Sequence, residues 1–441
     1  MTESAQTPES ESIVWRTARL SELGRIVTGR TPKAAADIYG DHVPFVTPTD
    51  MDGRRYLDRT DRWLSEGGFN EVRRASVPPN AVMVSCIGSD MGKVAVATQL
   101  CVTNQQINSL VVDTEDDSLF VYYNLSMRKQ ELQDIAGGSA QPILNKTDFG
   151  LLTLELPPPP IQRAIVRVLA VLDDKIEINR RMNRTLETLA QKLFKSWFVD
   201  FDPVVAKSEG RKPFGLSDEL AALFPSEFED TELGLVPLGW RPAPLGDAIQ
   251  LVRDLVDPQA AGLEEFDHYS IPAFDSGQRP VREMGSAIKS GKYLVPDDAI
   301  LLSKLNPETP RVWWPTPDAH RRAIASTEFL VCRARTGVSR TWLYWQLRDA
   351  DFLDEFATRV TGTSNSHQRV RPDDLLRLVR LDPGQALRHR FAELVEASTK
   401  RMVVNLAQSQ KLAALRDLLL PRLLSGELRV PVAESAMTAA L

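Results

Sequence analysis

Residues 160–198, PIQRAIVRVLAVLDDKIEINRRMNRTLETLAQKLFKSWF, decide the architecture. Along this stretch the spacing alternates between four and three: Ile165, Leu169, Leu172, Ile176, Asn179, Asn183, Leu186, Ala190, Leu193, Trp197. That is the heptad period of a helix with a coiled-coil seam. An offset of 222 produces a second ladder: Leu387, Phe391, Leu394, Ser398, Arg401, Asn405, Gln408, Leu412, Leu415, Leu419. Both ladders begin apolar, turn polar in the middle and finish apolar, with Asn183 and Asn405 at the matching step. One such helix could pack on its own domain. Two in register at a single offset favour an intramolecular pair, because neither buries its stripe alone. The chain returns through a whole domain between them, so the pair is expected to be antiparallel. The polar seam residues fix register at a cost in stability; a docking point for another subunit is the alternative role.

Working outward, each helix follows a segment that reads as a separate α+β domain. Trp15-Arg16 opens the first and Trp240-Arg241 the second. Short β-like runs follow Pro/Asn or Pro/Asp turns at 81–85 and 299–303. Polar Gly/Ser loops come next (137–139, 361–364), then leucine-rich strands (151–156, 375–381) and a proline-bearing break before each long helix. The expected organisation is a disordered leader at 1–12, a domain at 13–157, a spacer helix at 158–200 and a linker at 201–235. A second domain at 236–383, a second spacer helix at 384–426 and a tail at 427–441 complete it. Within these spans the first helix should cover 160–198 and the second 385–420, and residues from Glu434 onward look disordered.

The composition, 43% hydrophobic and 25% charged, is that of an ordinary globular protein. No apolar run approaches the roughly 20 residues of a membrane helix, and the polar start lacks signal-peptide character. Cys86, Cys101 and Cys332 are scattered without a CxxC pair, which suits a reducing cytoplasm and excludes a zinc site. A net charge of −6 argues against a nonspecific nucleic-acid coat but leaves room for local basic faces. Catalytic motifs are missing. Pro157 to Pro160 is not the Pro-Pro-aromatic motif of an adenine methyltransferase. Gly88 to Val94 has glycines too close for a P-loop and Val94 where a Ser or Thr should hold magnesium. His42, His268 and His389 read as surface or turn residues, and no pattern suggests a metal. The chain reads as chemically inert.

The block Leu156 to Val166, with Leu172-Asp173-Asp174-Lys175-Ile176, Asn179 and the run Leu193 to Pro203, resembles the helix of type I restriction–modification specificity subunits. Glu232 to Trp240 is similar to the start of that family's second target recognition domain. Thr28 to Pro32 with Pro44 to Met51, and Ile271 to Asp275 with Leu302 to Pro307, resemble two subclasses of the domain. The second helix lacks the Asp-Asp-Lys, although Asp417 to Glu427 fits the family's C-terminal end. The resemblance implies a non-catalytic DNA-binding subunit. Two recognition domains would each read half of a bipartite site, and an antiparallel coiled coil with pseudo-twofold repeat would set the gap. Methyltransferase subunits, expected to number two and to carry S-adenosylmethionine, would dock on the helices; restriction/translocase subunits would join that core. No cofactor is expected on this chain. A scaffold joining two protein-binding domains is the competing reading.

Groove readers use Arg, Lys, Asn and Gln against base edges, with Ser and Thr on phosphate. Candidates in the first domain are Arg30, Thr31, Lys33, Arg54, Arg55, Gln105, Gln106, Ser139, Gln141, Asn145 and Lys146. In the second they are Lys304, Asn306, Arg311, Ser364, Asn365, Ser366, His367, Gln368 and Arg369. The clusters 139–146 and 364–369 stand out because amides and hydroxyls pile up on equivalent loops. Trp313-Trp314 reads as core or interface rather than a base stack. The two domains differ in these segments, so two dissimilar half-sites are expected.

Overall fold

The computed structural model describes residues 14–33, 37–88, 90–136, 143–232, 234–361 and 368–440. The chain forms two compact units, Met1–Ile178 with Lys411–Leu441, and Asn179–Gln410. Two 40-residue helices, Pro159–Phe198 and Gln385–Leu424, each contribute to both. At roughly 1.5 Å per residue each is about 60 Å long.

In the first unit a five-stranded sheet runs in the order Gly24–Thr28, Ile107–Val112, Val82–Ser85, Val94–Ala97, Tyr56–Leu57. A four-stranded sheet is ordered Arg62–Leu64, Tyr39–Val46, Cys101–Thr103, Ser76–Val77. The period-2 alternation of strand side chains assigns the cores. Met83, Ala95 and Ala97 join Val27, Val46, Val77 and Ile107 in one cluster. Val82, Val84, Val94 and Val96 point the other way, onto Phe120, Tyr123, Leu169, Leu172 and Leu419. A strand covered on both faces is buried at every position, as Val82–Ser85 is.

The second unit repeats this plan. One sheet is ordered Ile249–Val252, Phe329–Ala334, Ile300–Ser303, Val312–Trp313. The other is ordered Leu255–Val256, Lys292–Leu294, Arg322–Ala325, Glu265–Tyr269, Val281–Met284. Leu301, Trp313, Phe329 and Val331 fill one core, while Ile300, Leu302, Leu330 and Cys332 pack toward Trp342, Trp345, Trp197 and Phe391. Trp313 is therefore a core residue, and Trp314 lies against Tyr344 with Arg340 over its ring. In each unit the opening strand pairs antiparallel with the strand preceding a long helix: Arg16–Arg19 with Thr153–Leu156, and Arg241–Pro244 with Val379–Asp382.

The helices run antiparallel in both units. In the first, Arg416 bonds Asp173 at 2.7 Å, and Ile176 and Leu412 share the core. In the second, Phe194 and Trp197 enclose Phe391 with ring centroids 5.4 and 5.9 Å apart. The Asn405 amide donates to Asn183 Oδ1 at 2.8 Å, and Asn183 donates to Met402 O at 2.9 Å. Asn179 donates to Gln408 Oε1 at 3.0 Å. Asn183 and Asn405, equivalent positions of the two ladders, thus bond each other, as in an isologous contact.

Several details differ from the sequence reading. Ile165, Leu169, Leu172, Ile176, Asn183, Leu186, Leu193, Asn405, Leu412, Leu415 and Leu419 are buried or half-buried, but Leu394 is 49% exposed. Arg401 is also exposed. From Phe391 the true seam steps by four to Val395 and Thr399, then by three to Met402 and Asn405. The repeat offset imposed a step of three at Phe391, one residue short of the step of four that the helix takes there. The second helix also continues past Leu420 through Pro421 and ends at Leu424, before Gly426 (φ +75°), where Leu428 N–H donates to Arg422 O. Residues beyond Glu434 are not irregular: Val430–Ala440 is a helix, with Ala433 buried and Met437 on the first unit's core. The linker span holds helices Asp202–Ser208 and Asp218–Ala221 and a hairpin of Phe228–Thr231 with Gly234–Pro237, because Val204 and Phe224 bury beside Trp197. The leader at 1–12 lies outside the described residues.

Candidate nucleic-acid interface

Antiparallel order gathers the polar loops of the first unit at one sheet edge. Thr28 pairs with Asn108, Ile107 with Ser85, and Val84 with Val94, so the chain segments leaving Thr28 and Ser85 and entering Ile107 meet there. Backbone bonds fix them: Gly29 N–H to Ile107 O at 3.0 Å, Arg30 N–H to Thr103 O at 2.8 Å, Cys86 N–H to Gln106 O at 2.7 Å, and Leu144 N–H to Cys86 O at 2.9 Å. Arg30, Thr31, Gln105, Gln106, Asn145 and Lys146 are thereby brought together. The Thr31 hydroxyl donates to Gln105 Oε1 at 2.6 Å, and Asn104 Nδ2 donates to Gln106 Oε1 at 2.9 Å. Asn145 caps the helix Lys146–Leu151 by accepting from Asp148 N–H. Lys33 donates through its backbone to Glu71 at 2.8 Å and leaves its ammonium exposed.

The second unit repeats the two bonds made at Cys86. Lys304 N–H donates to Glu328 O and Val370 N–H to Lys304 O, both at 3.0 Å. Isolated bridges join Ile87 to Ile143 and, equivalently, Leu305 to Arg369. The next residue has positive φ in each, +78° at Gly88 and +46° at Asn306. Asn306 N–H donates to Gln368 O at 3.0 Å, and among the described residues the buried Asn306 Oδ1 has no partner. Lys304, Asn306, Arg311, Gln368 and Arg369 therefore share one edge.

Four candidate arginines are committed to carboxylates within the fold. Arg54 is held by Asp52 at 2.8 Å and Asp58 at 2.5 Å. Arg55 is buried, bonded to the Tyr123 hydroxyl at 2.9 Å and to Asp174, with Asp173 at 3.6 Å. It ties the domain to the long helix and cannot reach a groove. Arg311 makes a bidentate pair with Asp275 at 2.7 and 3.0 Å, and Arg369 another with Glu328. Ser139, Gln141, Ser364, Asn365, Ser366 and His367 lie outside the described residues. Arg73 and Arg74, which the sequence reading passed over, line a cleft beside Arg30; their tandem arrangement was the available signal.

Burial pushes the Cys86 thiol up to about 11 and those of Cys101 and Cys332 to about 12, so none is a nucleophile at neutral pH. His268 is not a turn residue: it lies in Glu265–Tyr269 with Nδ1 2.5 Å from Glu283, and burial lowers its pKa. Among the described residues no cluster of His, Cys, Asp or Glu could hold a metal, and no helix is long and apolar enough to cross a membrane.

The sequence pattern of the type I restriction modification DNA specificity domain matches residues 13–188. The chain is 27% identical over 434 residues to the type I restriction enzyme MjaIX specificity subunit of Methanocaldococcus jannaschii, covering 94% of each. It is 34% identical over 189 residues to the HindI specificity subunit of Haemophilus influenzae, covering 41% of this chain and 40% of that one. The crystal structure of the type I S subunit from M. genitalium matches 95% of this chain and 98% of its own with a TM-score of 0.55 at 15% identity, a likeness of fold. The domain match, the full-length similarity and the repeated architecture agree in making the chain similar to the specificity subunits of type I restriction–modification systems.

Proposed function

We propose that the chain reads an asymmetric, two-part DNA target, one half at the polar sheet edge of each unit. The observation that carries this reading is the repetition of one backbone hydrogen-bond pattern at both edges, presenting different side chains. Arg30, Thr31, Lys33, Gln105, Gln106, Asn145 and Lys146 serve one half; Lys304, Asn306 and Gln368 serve the other. Amides and cations in such positions match base-edge and phosphate chemistry. The segments 137–142 and 362–367, with Ser139, Gln141, Ser364, Asn365, Ser366 and His367, are assigned to the same two readers on their sequence alone.

The helix pair sets the gap between half-sites and receives two methyltransferase subunits, with restriction/translocase subunits joining that core. Met182, Leu189, Leu394 and Val404 remain exposed on the helices, as apolar docking positions would. S-adenosylmethionine is held by the partners, this chain holds no cofactor, and the complex works in the cytoplasm.

Deleting one heptad from both helices shortens each by about 10 Å, or about three base pairs. In a methylation assay with the partner subunits, both half-sequences should be kept while the gap changes. Absence of any sequence-dependent binding or methylation, whatever the partner combination, would leave only a protein scaffold.

A further inference from the structure

We infer that the cleft lined by Arg30, Arg73 and Arg74 grips the DNA sugar–phosphate backbone beside the half-site read by the first unit, an inference that rests on the proposed DNA reading. The cleft, of about 720 Å³, runs between Thr28–Arg30 and Asn70–Ala75. Its geometry follows from strand pairing. Ser76–Val77 pairs antiparallel with Cys101–Thr103, Ser76 opposite Val102. The 3-10 turn Arg73–Ala75 therefore continues alongside Thr103 and Asn104. Arg30 is tied to the same place through its N–H to Thr103 O at 2.8 Å. Gly29 permits that close approach, because a Cβ there would lie 2.0 Å from Asn104 O.

The turn is oriented by what it buries. Val72, Ala75 and Val77 are 2%, 8% and 0% exposed, so Arg73 and Arg74 face solvent. Among the described residues, no carboxylate pairs with Arg30, Arg73 or Arg74, whereas Arg54, Arg55, Arg311 and Arg369 are all paired. The single acidic lining residue, Glu71, accepts the Lys33 N–H at 2.8 Å. Three unpaired guanidinium groups facing one acid, in a chain whose net charge is −6, make a local anion site. A phosphodiester suits it, since guanidinium forks bind phosphate oxygens bidentately and fix register without reading sequence.

The test uses the full chain assembled with its methyltransferase subunits and a target duplex, comparing wild type with R73Q/R74Q and R73K/R74K. Removing two phosphate contacts should lower the slope of log K against log salt by roughly 2 and weaken binding by roughly tenfold, equally for matched and mismatched targets. R73K/R74K should keep the wild-type slope. If R73Q/R74Q binds with the wild-type slope and affinity, the cleft does not grip backbone, although the DNA reading stands. If it loses discrimination between targets instead, these residues read bases and the inference is overturned. If wild type itself shows no sequence-dependent binding, the underlying reading fails.

Discussion

Replacing Arg55 by Met should destabilise the first unit and leave DNA specificity intact, although its position in sequence resembles that of a groove reader. The Arg55 side chain is 6% exposed. It donates to the Tyr123 hydroxyl at 2.9 Å, while Tyr123 donates to Asp173 Oδ2 at 2.7 Å. Burial, reinforced by Asp173, raises the Tyr123 pKa far above the ordinary phenol, so the hydroxyl stays neutral and donating. Breaking a buried ion pair costs about 3–5 kcal/mol when the partner is stranded. Here the loss is smaller: Asp173 keeps Arg416 at 2.7 Å, and Asp174 is 60% exposed, so that arm contributes only a fraction of a kcal/mol. Methionine fills much of the vacated volume. The expected cost is about 2–3 kcal/mol, or a melting temperature lower by roughly 5–10 °C for a unit of this size. Calorimetry of the full chain measures the melt, and half-site binding at low temperature measures recognition. An unchanged melt, or altered sequence preference in a variant that melts like wild type, would refute the reasoning.

The polar seam makes a second prediction. Asn405→Leu leaves Asn183 Oδ1 without its donor and should cost about 1–3 kcal/mol in chemical denaturation. N183L/N405L should recover much of that while loosening helix register, seen as faster amide exchange along the helices; an equally destabilised double variant contradicts this. Acid stability makes a third. Burial pushes Asp116 upward, but bonds from Gln162 at 2.7 Å, Thr114 at 2.8 Å and Arg16 outweigh it, and its pKa lies below the ordinary aspartate value. Its contribution is therefore full above the unfolded-state pKa near 4 and is lost as pH falls through the lower folded value. D116N should lose stability at pH 7 and show a shallower stability decline below about pH 4; an unchanged acid profile opposes this assignment.

The first helix was legible because its stripe is long, regular and carried by Ile165, Leu169, Leu172 and Ile176, all buried. Its partner was legible only in outline, since nothing local distinguishes a step to Leu394 from a step to Val395. Packing under Trp345, whose indole N–H donates to Thr399 at 2.9 Å, decides it. For the binding edges, sequence located the right loops but not which side chains are free. Arg55 meets Asp173 and Asp174 only after more than a hundred intervening residues fold, and Arg311 finds Asp275 across three intervening strands. Arg73 and Arg74 escaped notice because they follow the helix Glu66–Val72 rather than a glycine-rich loop.

The two-part reading meets its most direct test in a selection from a randomised duplex library methylated by the chain with its partner subunits, followed by sequencing of the modified molecules. The expected product is two unlike short sequences separated by a fixed unspecified gap, with Asn306→Ala and Gln368→Ala relaxing only one of them. A single uninterrupted motif, or relaxation of both halves by changes confined to the second unit, contradicts the account.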